Sequence, residues 1–259
     1  MKETSLLYDY PRLYELAFSF RDIGGEAAVM QECIGRFASI PVRRVLELGC
    51  GPAPHAGELT RMGLRVVGLD NNHAMLDYAR SRWADLVPRP EFLHGDMTCF
   101  RLEEPVEFVF VMLGSLYADS VGELTTHLDS VAGTLRPGGL YFLDGCIQFC
   151  DPLAQADVSC LVEQGGVRIE SSFDIALLDA EEQLYEETWT VVAEEHGQTR
   201  RFRTVERNRA LAPQEFLELI GDHPAFEFVG WWQDWDLKRP LEPGMESLRP
   251  LAVVRRVMP

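Results

Sequence analysis

The run RRVLELG at 43–49 breaks into the turn Cys50-Gly51-Pro52-Ala53, and LRVVGLD at 64–70 follows after room for one short helix. No other feature constrains the chain as much. An apolar run of strand length that stops at glycine predicts a strand buried on both faces, and a sheet buried that way needs helices above and below it. The alternation continues down the chain. EFLHGD (91–96), VEFVFVML (106–113) and LYFLDG (140–145) read as further strands, with helical periodicity at 9–20, 24–39, 55–63, 72–84 and 120–135. Strand and helix in strict alternation imply a parallel sheet.

The pattern changes after about residue 150. Residues 167–177, 183–194 and 199–210 alternate at period two, with turn residues at Leu178-Asp179 and His196-Gly197 between them. This predicts a three-stranded antiparallel meander. PQEFLELIG (213–221) returns to helix with Pro213 at its start, and strands at 226–235 and 250–257 follow. The expectation is an α/β chain: a seven-stranded, mostly parallel sheet with helices on both faces and a small inserted antiparallel β lobe. Residues 1–150 and 212–259 would form the main domain, and 151–211 the lobe, acting as a cover for a substrate.

Composition narrows the partners. Lysine and arginine number 24 against 41 aspartates and glutamates, a formal charge of −17. Such a surface repels phosphate backbones and anionic lipid headgroups, so neither a nucleic acid nor a membrane is the expected partner. The N-terminal MKETSLLYDYPRLYELAF has no signal-peptide pattern, and no apolar run is long enough to span a bilayer, so a cytoplasmic protein is expected. The six cysteines (33, 50, 99, 146, 150 and 160) form no CxxC pair; free thiols and no metal site are expected.

The glycine turn and the acid that ends the second strand define a ligand site. Gly49 permits a sharp turn and Gly51 lets a ligand lie against the backbone. Asp70, 19 residues beyond Gly51, can accept hydrogen bonds from ribose hydroxyls. Both lie at the carboxyl ends of strands, where open α/β sheets bind ligands. A dinucleotide is disfavoured. Pro54 stands where the third glycine of GxGxxG would be, Pro52 and Pro54 remove two N–H donors, and Glu47 would repel a phosphate. A ligand with an ammonium and a sulfonium suits the turn better.

These residues resemble class I S-adenosylmethionine-dependent methyltransferases, which have a Rossmann-like fold. VLELGCGPA is similar to their first motif, VVGLD to the second strand with its ribose-binding acid, HGDM (94–97) to the adenine-binding turn, and LRPGG (135–139) to the turn before strand five. The resemblance spans about residues 43–145, and Ala53 departs from it where many members have glycine. It implies S-adenosylmethionine as cofactor, held by Glu47, Gly49, Cys50, Gly51, Asp70, Asn71, Asp96, Met97 and Leu113. The N-terminal YDYPRLYELAF and the late β insertion look like small-molecule N- or O-methyltransferases, with a layout similar to amino-sugar N-methyltransferases. This implies that Tyr14, with Tyr8 or Arg21, covers the cofactor.

Methyl transfer from a sulfonium is an in-line displacement that needs alignment and a dry site more than any single catalytic residue, so no general base is assigned. An N or O atom of a small molecule is the expected acceptor. Tyr117, Trp189 and Arg209 are candidates for the acceptor side, each with packing or a solvated edge as its plainer reading. His55 is placed near the cofactor carboxylate, or else in a capping or surface role. His94 is read as structural, His127 as packed or solvated on its helix, His73 and His196 as exposed, and His223 as ending a helix. Trp231 and Trp235 would share one strand face and Trp232 the other, which favours packing over a cation cage. Two other functions fit the same fold: a nicotinamide-dependent oxidoreductase, and a non-catalytic S-adenosylmethionine-binding protein.

Overall fold

The computed structural model describes residues 6–155, 158–242 and 244–258. A 3₁₀ turn at Leu7–Asp9 leads into α1 (Pro11–Ala17) and α2 (Ile23–Phe37). The chain then runs β1 (Arg44–Leu48), α3 (Ala56–Arg61), β2 (Arg65–Asp70), α4 (His73–Arg82), β3 (Glu91–His94), β4 (Val106–Val111), α5 (Val121–Thr134) and β5 (Leu135–Asp144). The lobe is β6 (Val158–Gln164), β7 (Val167–Asp179), β8 (Leu184–Glu195) and β9 (Gln198–Arg209). Helix α6 (Pro213–Asp222) and strands β10 (Phe226–Trp232) and β11 (Leu251–Arg256) follow.

The main sheet has seven strands in the order β10-β11-β5-β4-β1-β2-β3. The five central and right-hand strands are parallel, and β11 pairs antiparallel with both β5 and β10. Side chains alternate cleanly between two cores. Leu46, Leu48, Val109, Val111, Tyr141 and Leu143 face α5 and α6, while Val45, Phe108, Phe110, Leu140 and Phe142 face α2, α3 and α4. The near-continuous apolar runs in the sequence are the consequence of burial on both sides. The same parity puts Glu47, two residues after Val45, on the α2–α3 side. Strand order reverses direction between β1 and β4, and the crevice at that point is where such sheets bind ligands.

The lobe is a four-stranded antiparallel sheet in the order β6-β7-β8-β9. The sequence pattern predicts three strands and misses β6, whose seven residues pair fully with β7. VSCLVEQ does not alternate at period two, and Leu161 on this edge strand is 53% exposed. Long-range pairing, not local pattern, makes it a strand.

Residues 6–21 pack on the lobe. Leu7, Leu13 and Ala17 share a buried cluster with Val167, Ile169, Trp189, Val191, Ala193 and Phe202. The helix expected at 9–20 is shorter than its periodicity, because Pro11 fixes its start and the 3₁₀ turn precedes it. This segment also reaches α4 and its N-cap: Tyr78 donates to Glu15 at 2.8 Å, Arg82 pairs with Glu15, and Asn72 donates to Asp9 at 3.2 Å. It clamps the lobe to α4. Residues 1–5, on which part of the leader reading rests, lie outside the described residues.

The tryptophan pattern at the C-terminal end differs from simple alternation. Strand β10 ends at Trp232, and Asp234 and Trp235 turn through positive φ (50° and 62°). Trp235 therefore packs in the same core as Trp232, and Trp231 packs in the other.

Candidate active site

The turn after β1 is built around left-handed backbone. Gly49, Gly51 and Ala53 have φ of 61°, 51° and 50°. Glycine adopts this region freely, while alanine there is strained by about 1 kcal/mol. Ala53 thus occupies a conformation that a third glycine would take without strain. Cys50 is buried, and its sulfur fills the space left by the missing side chain of Gly68. Burial, first, and the charges of Glu47 and Asp70 push its thiol well above the usual range. Its part at the site is packing and backbone.

Asp70 ends β2 and binds this turn directly. The Gly51 N–H donates to Oδ2 at 2.7 Å, and the Asn72 N–H donates to Oδ1 at 2.8 Å. Burial pushes the Asp70 carboxyl up, opposed by those N–H donors and by that of Asn71. Each oxygen keeps a lone pair for a further donor. Asn71 lies exposed beside it, its carbonyl 3.0 Å from His94 Nε2. His94 stacks on His73 with centroids 4.0 Å apart, so it is an exposed partner of another histidine.

The turn after β3 carries Asp96 and Met97. Asp96 Oδ1 accepts from the Thr98 N–H and hydroxyl, both at 2.8 Å. The Met97 methyl lies directly over Gly49, 2.6 Å from where a Cβ would stand. His127 of α5, read from sequence as a packed or solvated helix residue, anchors this turn. It is buried between the Met97 carbonyl and the Tyr141 hydroxyl, each at 2.7 Å. A carbonyl only accepts, so Nδ1 carries the proton and Nε2 accepts from Tyr141. Burial holds this imidazole neutral, at about 4.

Across the crevice, Leu113 follows β4 at φ 57°. Its N–H donates to Asp144 Oδ2 at 2.9 Å, and the Gly114 N–H donates to the Asp144 carbonyl at 2.8 Å. Asp144 was not singled out from sequence. It is fully buried and also takes the Arg249 guanidinium at 2.7 Å and the Trp235 indole N–H at 2.9 Å. Arg249 continues to Glu26 at 2.9 Å. Glu26 meets Arg21 at 2.5 Å and His55 at 2.9 Å, and His55 meets Glu47 at 2.9 Å. His55 is completely buried, which corrects the reading of it as a surface residue. Its helix N-cap position makes no side-chain cap bond. Burial alone would raise Glu26, but the bonds from His55 and Arg21 hold it at about 2.

Tyr14 closes the front of the turn. Its ring lies 3.9 Å from the Cβ position of Gly51, and it packs against Tyr8, Phe18 and Trp189. Burial pushes its hydroxyl up to about 12, with Arg21 opposing and Asp70 and Glu47 adding to the shift. On the lobe side, the Tyr117 hydroxyl donates to Glu187 Oε2 at 3.4 Å, and Asn208 donates to Oε1 at 3.2 Å. Burial raises the Glu187 carboxyl against those two bonds. Glu206 is raised as well, by burial first and then by Glu187 and Asp119. Trp189 is buried, stacks on Phe173 with centroids 5.5 Å apart, and has no partner for its indole N–H. The structure does not bring Arg209 to this group; its guanidinium faces Glu215 of α6 at 2.7 Å. Burial is thus right for Trp189, and the free edge expected of Arg209 is replaced by an ion pair.

S-Adenosylmethionine fits this constellation. Asp70 retains acceptor capacity toward ribose hydroxyls, the glycine turn admits close approach, and a Glu47 oxygen is buried with no partner. Pyrophosphate does not fit beside Glu47, and Pro52 and Pro54 provide no N–H.

Comparison with known proteins agrees with this reading. Residues 45–139 match the family model described as a methyltransferase domain. The trans-aconitate 2-methyltransferase of Enterobacter sp. (strain 638) is 30% identical over 102 residues, which is 39% of this chain and 39% of that protein. The chain covers less than two thirds of the length of each curated relative it matches. The S-adenosylmethionine-dependent methyltransferase of Clostridium acetobutylicum superposes with a TM-score of 0.78 at 14% identity, covering 96% of this chain and 98% of that one. CalS10, an amino pentose methyltransferase from Micromonospora echinaspora solved with S-adenosylmethionine bound, gives 0.72 at 20% identity, covering 99% and 100%. The fold is therefore that of the class I methyltransferases. Within it, residues 45–139 of this chain match a methyltransferase domain.

Proposed function

We propose that the protein transfers the methyl group of S-adenosylmethionine to an amine nitrogen of a small molecule held between the main sheet and the lobe. The cofactor supplies an electrophilic methyl on a sulfonium. Asp70 holds the ribose, Glu47 and the Gly49–Gly51 backbone the methionine end, Asn71, Asp96 and Met97 the adenine side, and Leu113 closes the strand β4 side. Tyr14 and Tyr8 cover the turn and exclude water, with residues 151–211 forming the cover on the acceptor side.

The observation that carries the amine reading is the lining at Tyr117. It joins Glu187 and Asn208 of the lobe, with Glu206, Tyr8 and Trp189 around them. Carboxylates and aromatic faces attract a cation and repel a carboxylate or phosphate. A carboxylate whose proton affinity is raised by burial can take a proton from an ammonium and leave the lone pair free to attack. The net charge of −17 supports the same polarity of acceptor. No described helix is long and apolar enough to cross a membrane.

The experiment is incubation with methyl-labelled S-adenosylmethionine and a panel of amino sugars, phenols and polycarboxylates, read by mass spectrometry. Label on amines supports the proposal; label confined to polycarboxylates overturns the amine assignment. A parallel thermal-shift series with S-adenosylhomocysteine and NAD tests the cofactor, and a shift with NAD alone would restore the oxidoreductase reading.

A further inference from the structure

The buried chain behind the glycine turn poses a question of protons. His55 has a carboxylate oxygen 2.9 Å from each ring nitrogen, Glu47 Oε1 at Nδ1 and Glu26 Oε2 at Nε2. A neutral imidazole has one N–H, so one of these contacts would set lone pair against lone pair. Both are satisfied only when both nitrogens carry protons. Arg21 also lies 3.3 Å from Nε2, but it is closer to Glu26, at 2.5 Å. The edge of the Phe110 ring closes the remaining side.

Counting charge gives the same answer. Glu26, Glu47 and Asp144 are three carboxylates; Arg21 and Arg249 are two guanidiniums. A positive His55 balances them. The hydrogen bonds are unequal, however. Glu26 has a donor set on both oxygens, whereas Glu47 has one oxygen on His55 and the other, Oε2, buried with nothing. A buried carboxylate oxygen without a donor costs about 1–3 kcal/mol, so such a group in a folded protein points to a partner that arrives later. Glu47 stands two residues before Gly49, and Tyr14, packed over Gly51, senses its charge.

We propose that His55 is a positioning residue protonated at neutral pH: it fixes Glu47 in one orientation and keeps its second oxygen for the ammonium group of the cofactor's methionine end. This rests on the reading that S-adenosylmethionine binds at this turn. Burial opposes the charge on His55, and Glu47 and Glu26 outweigh it, so its proton affinity is raised. The charge is present below that raised titration and lost as pH rises through it.

Two ligands separate the ends of the cofactor. S-Adenosylhomocysteine has the ammonium, and 5′-methylthioadenosine lacks the whole amino-acid end. Calorimetry with wild type and His55→Gln is expected to show S-adenosylhomocysteine weakened about tenfold or more by the substitution and 5′-methylthioadenosine unchanged. The wild-type affinity for S-adenosylhomocysteine should also fall at alkaline pH through two titrations, that of His55 and that of the ligand's own ammonium, and His55→Gln should keep only the second. Equal weakening of both ligands, or no weakening of the first, overturns the proposal. Binding of neither ligand to wild type instead overturns the cofactor reading beneath it. Nitrogen-15 NMR of the wild-type imidazoles needs no variant. Two protonated ring nitrogens on His55 at neutral pH are expected, and a neutral pattern defeats the proposal even if His55→Gln does not fold.

Discussion

The two sides of the crevice are built on opposite principles. On the cofactor side, the chain contributes backbone and charge: three positive-φ residues in one turn, strand-end acids, and a line of ion pairs from Glu47 to Asp144 sealed between β1, α2 and the loop before β11. On the lobe side it contributes rings: Tyr8, Tyr14, Phe18, Phe173 and Trp189 meet at centroid distances of 4.9–6.5 Å, around two carboxylates with raised proton affinity. A ligand of fixed charge pattern is met by a rigid electrostatic frame. In the function proposed above, an acceptor would be met by surfaces that shape and polarity can tune one residue at a time. On that proposal the first kind of site tolerates little change, and the second is where substrate choice would be set.

The largest expected effect of breaking the frame is at Asp144. Asp144→Ala strands the Arg249 guanidinium, the Trp235 N–H and the Leu113 N–H together. Removing one partner of a buried ion pair costs about 3–5 kcal/mol, so a denaturant melt should show a loss of that size. A loss below about 1 kcal/mol would mean that water replaces the carboxylate and that the frame is not sealed.

Acid should dismantle the frame in two stages. His127 is held neutral at about 4 against an ordinary 6.5, so the unfolded chain takes up a proton first and stability falls from about pH 6.5 to about pH 4. Glu26 is held at about 2 against 4.5, so its contribution is intact above about pH 4.5 and lost toward pH 2. Each shift corresponds to about 3 kcal/mol at most. Stability measured by urea titration at several pH values should decline over both windows, and His127→Gln should flatten only the upper one.

Much of the frame was legible in the order of residues, and the reasons are physical. Glycine before a left-handed turn, an acid at a strand end and an apolar run buried on both faces are local necessities, and local necessities leave local marks. What escaped was whatever depends on a distant partner. Asp144 reads as an ordinary strand end until Arg249 and Trp235 reach it across the sheet. His55 reads as a helix-start histidine until Glu26, 29 residues earlier, closes over it. Strand β6 has no alternation of its own, and the charge of Arg209 looks free until α6 folds back with Glu215. Charge pairing over long range has no period to read.

The cofactor contact itself ranks next. Asp70→Asn keeps the shape and removes the charge, replacing one acceptor oxygen by an amide. Two hydrogen bonds to ribose and the Gly51 contact are weakened together, for an expected loss of about 2 kcal/mol, or about thirtyfold in affinity for S-adenosylhomocysteine. Calorimetry checks this directly, and an unchanged affinity removes Asp70 from the ribose.

The smallest expected effect discriminates most sharply between the two sides. Glu187→Gln preserves the bonds to Tyr117 and Asn208 in outline and deletes only the carboxylate's charge and proton affinity. If the lobe side holds a cationic amine, the acceptor KM should rise and kcat fall, together by about tenfold in kcat/KM, with S-adenosylhomocysteine affinity unmoved. The pH profile of kcat/KM should shift too, because a residue that takes the ammonium proton leaves its titration in the acidic limb. Equal loss of cofactor affinity would mean that the two sides are one coupled site. A change in KM without any change in the pH profile would leave Glu187 as an electrostatic anchor and move proton removal to the solvent.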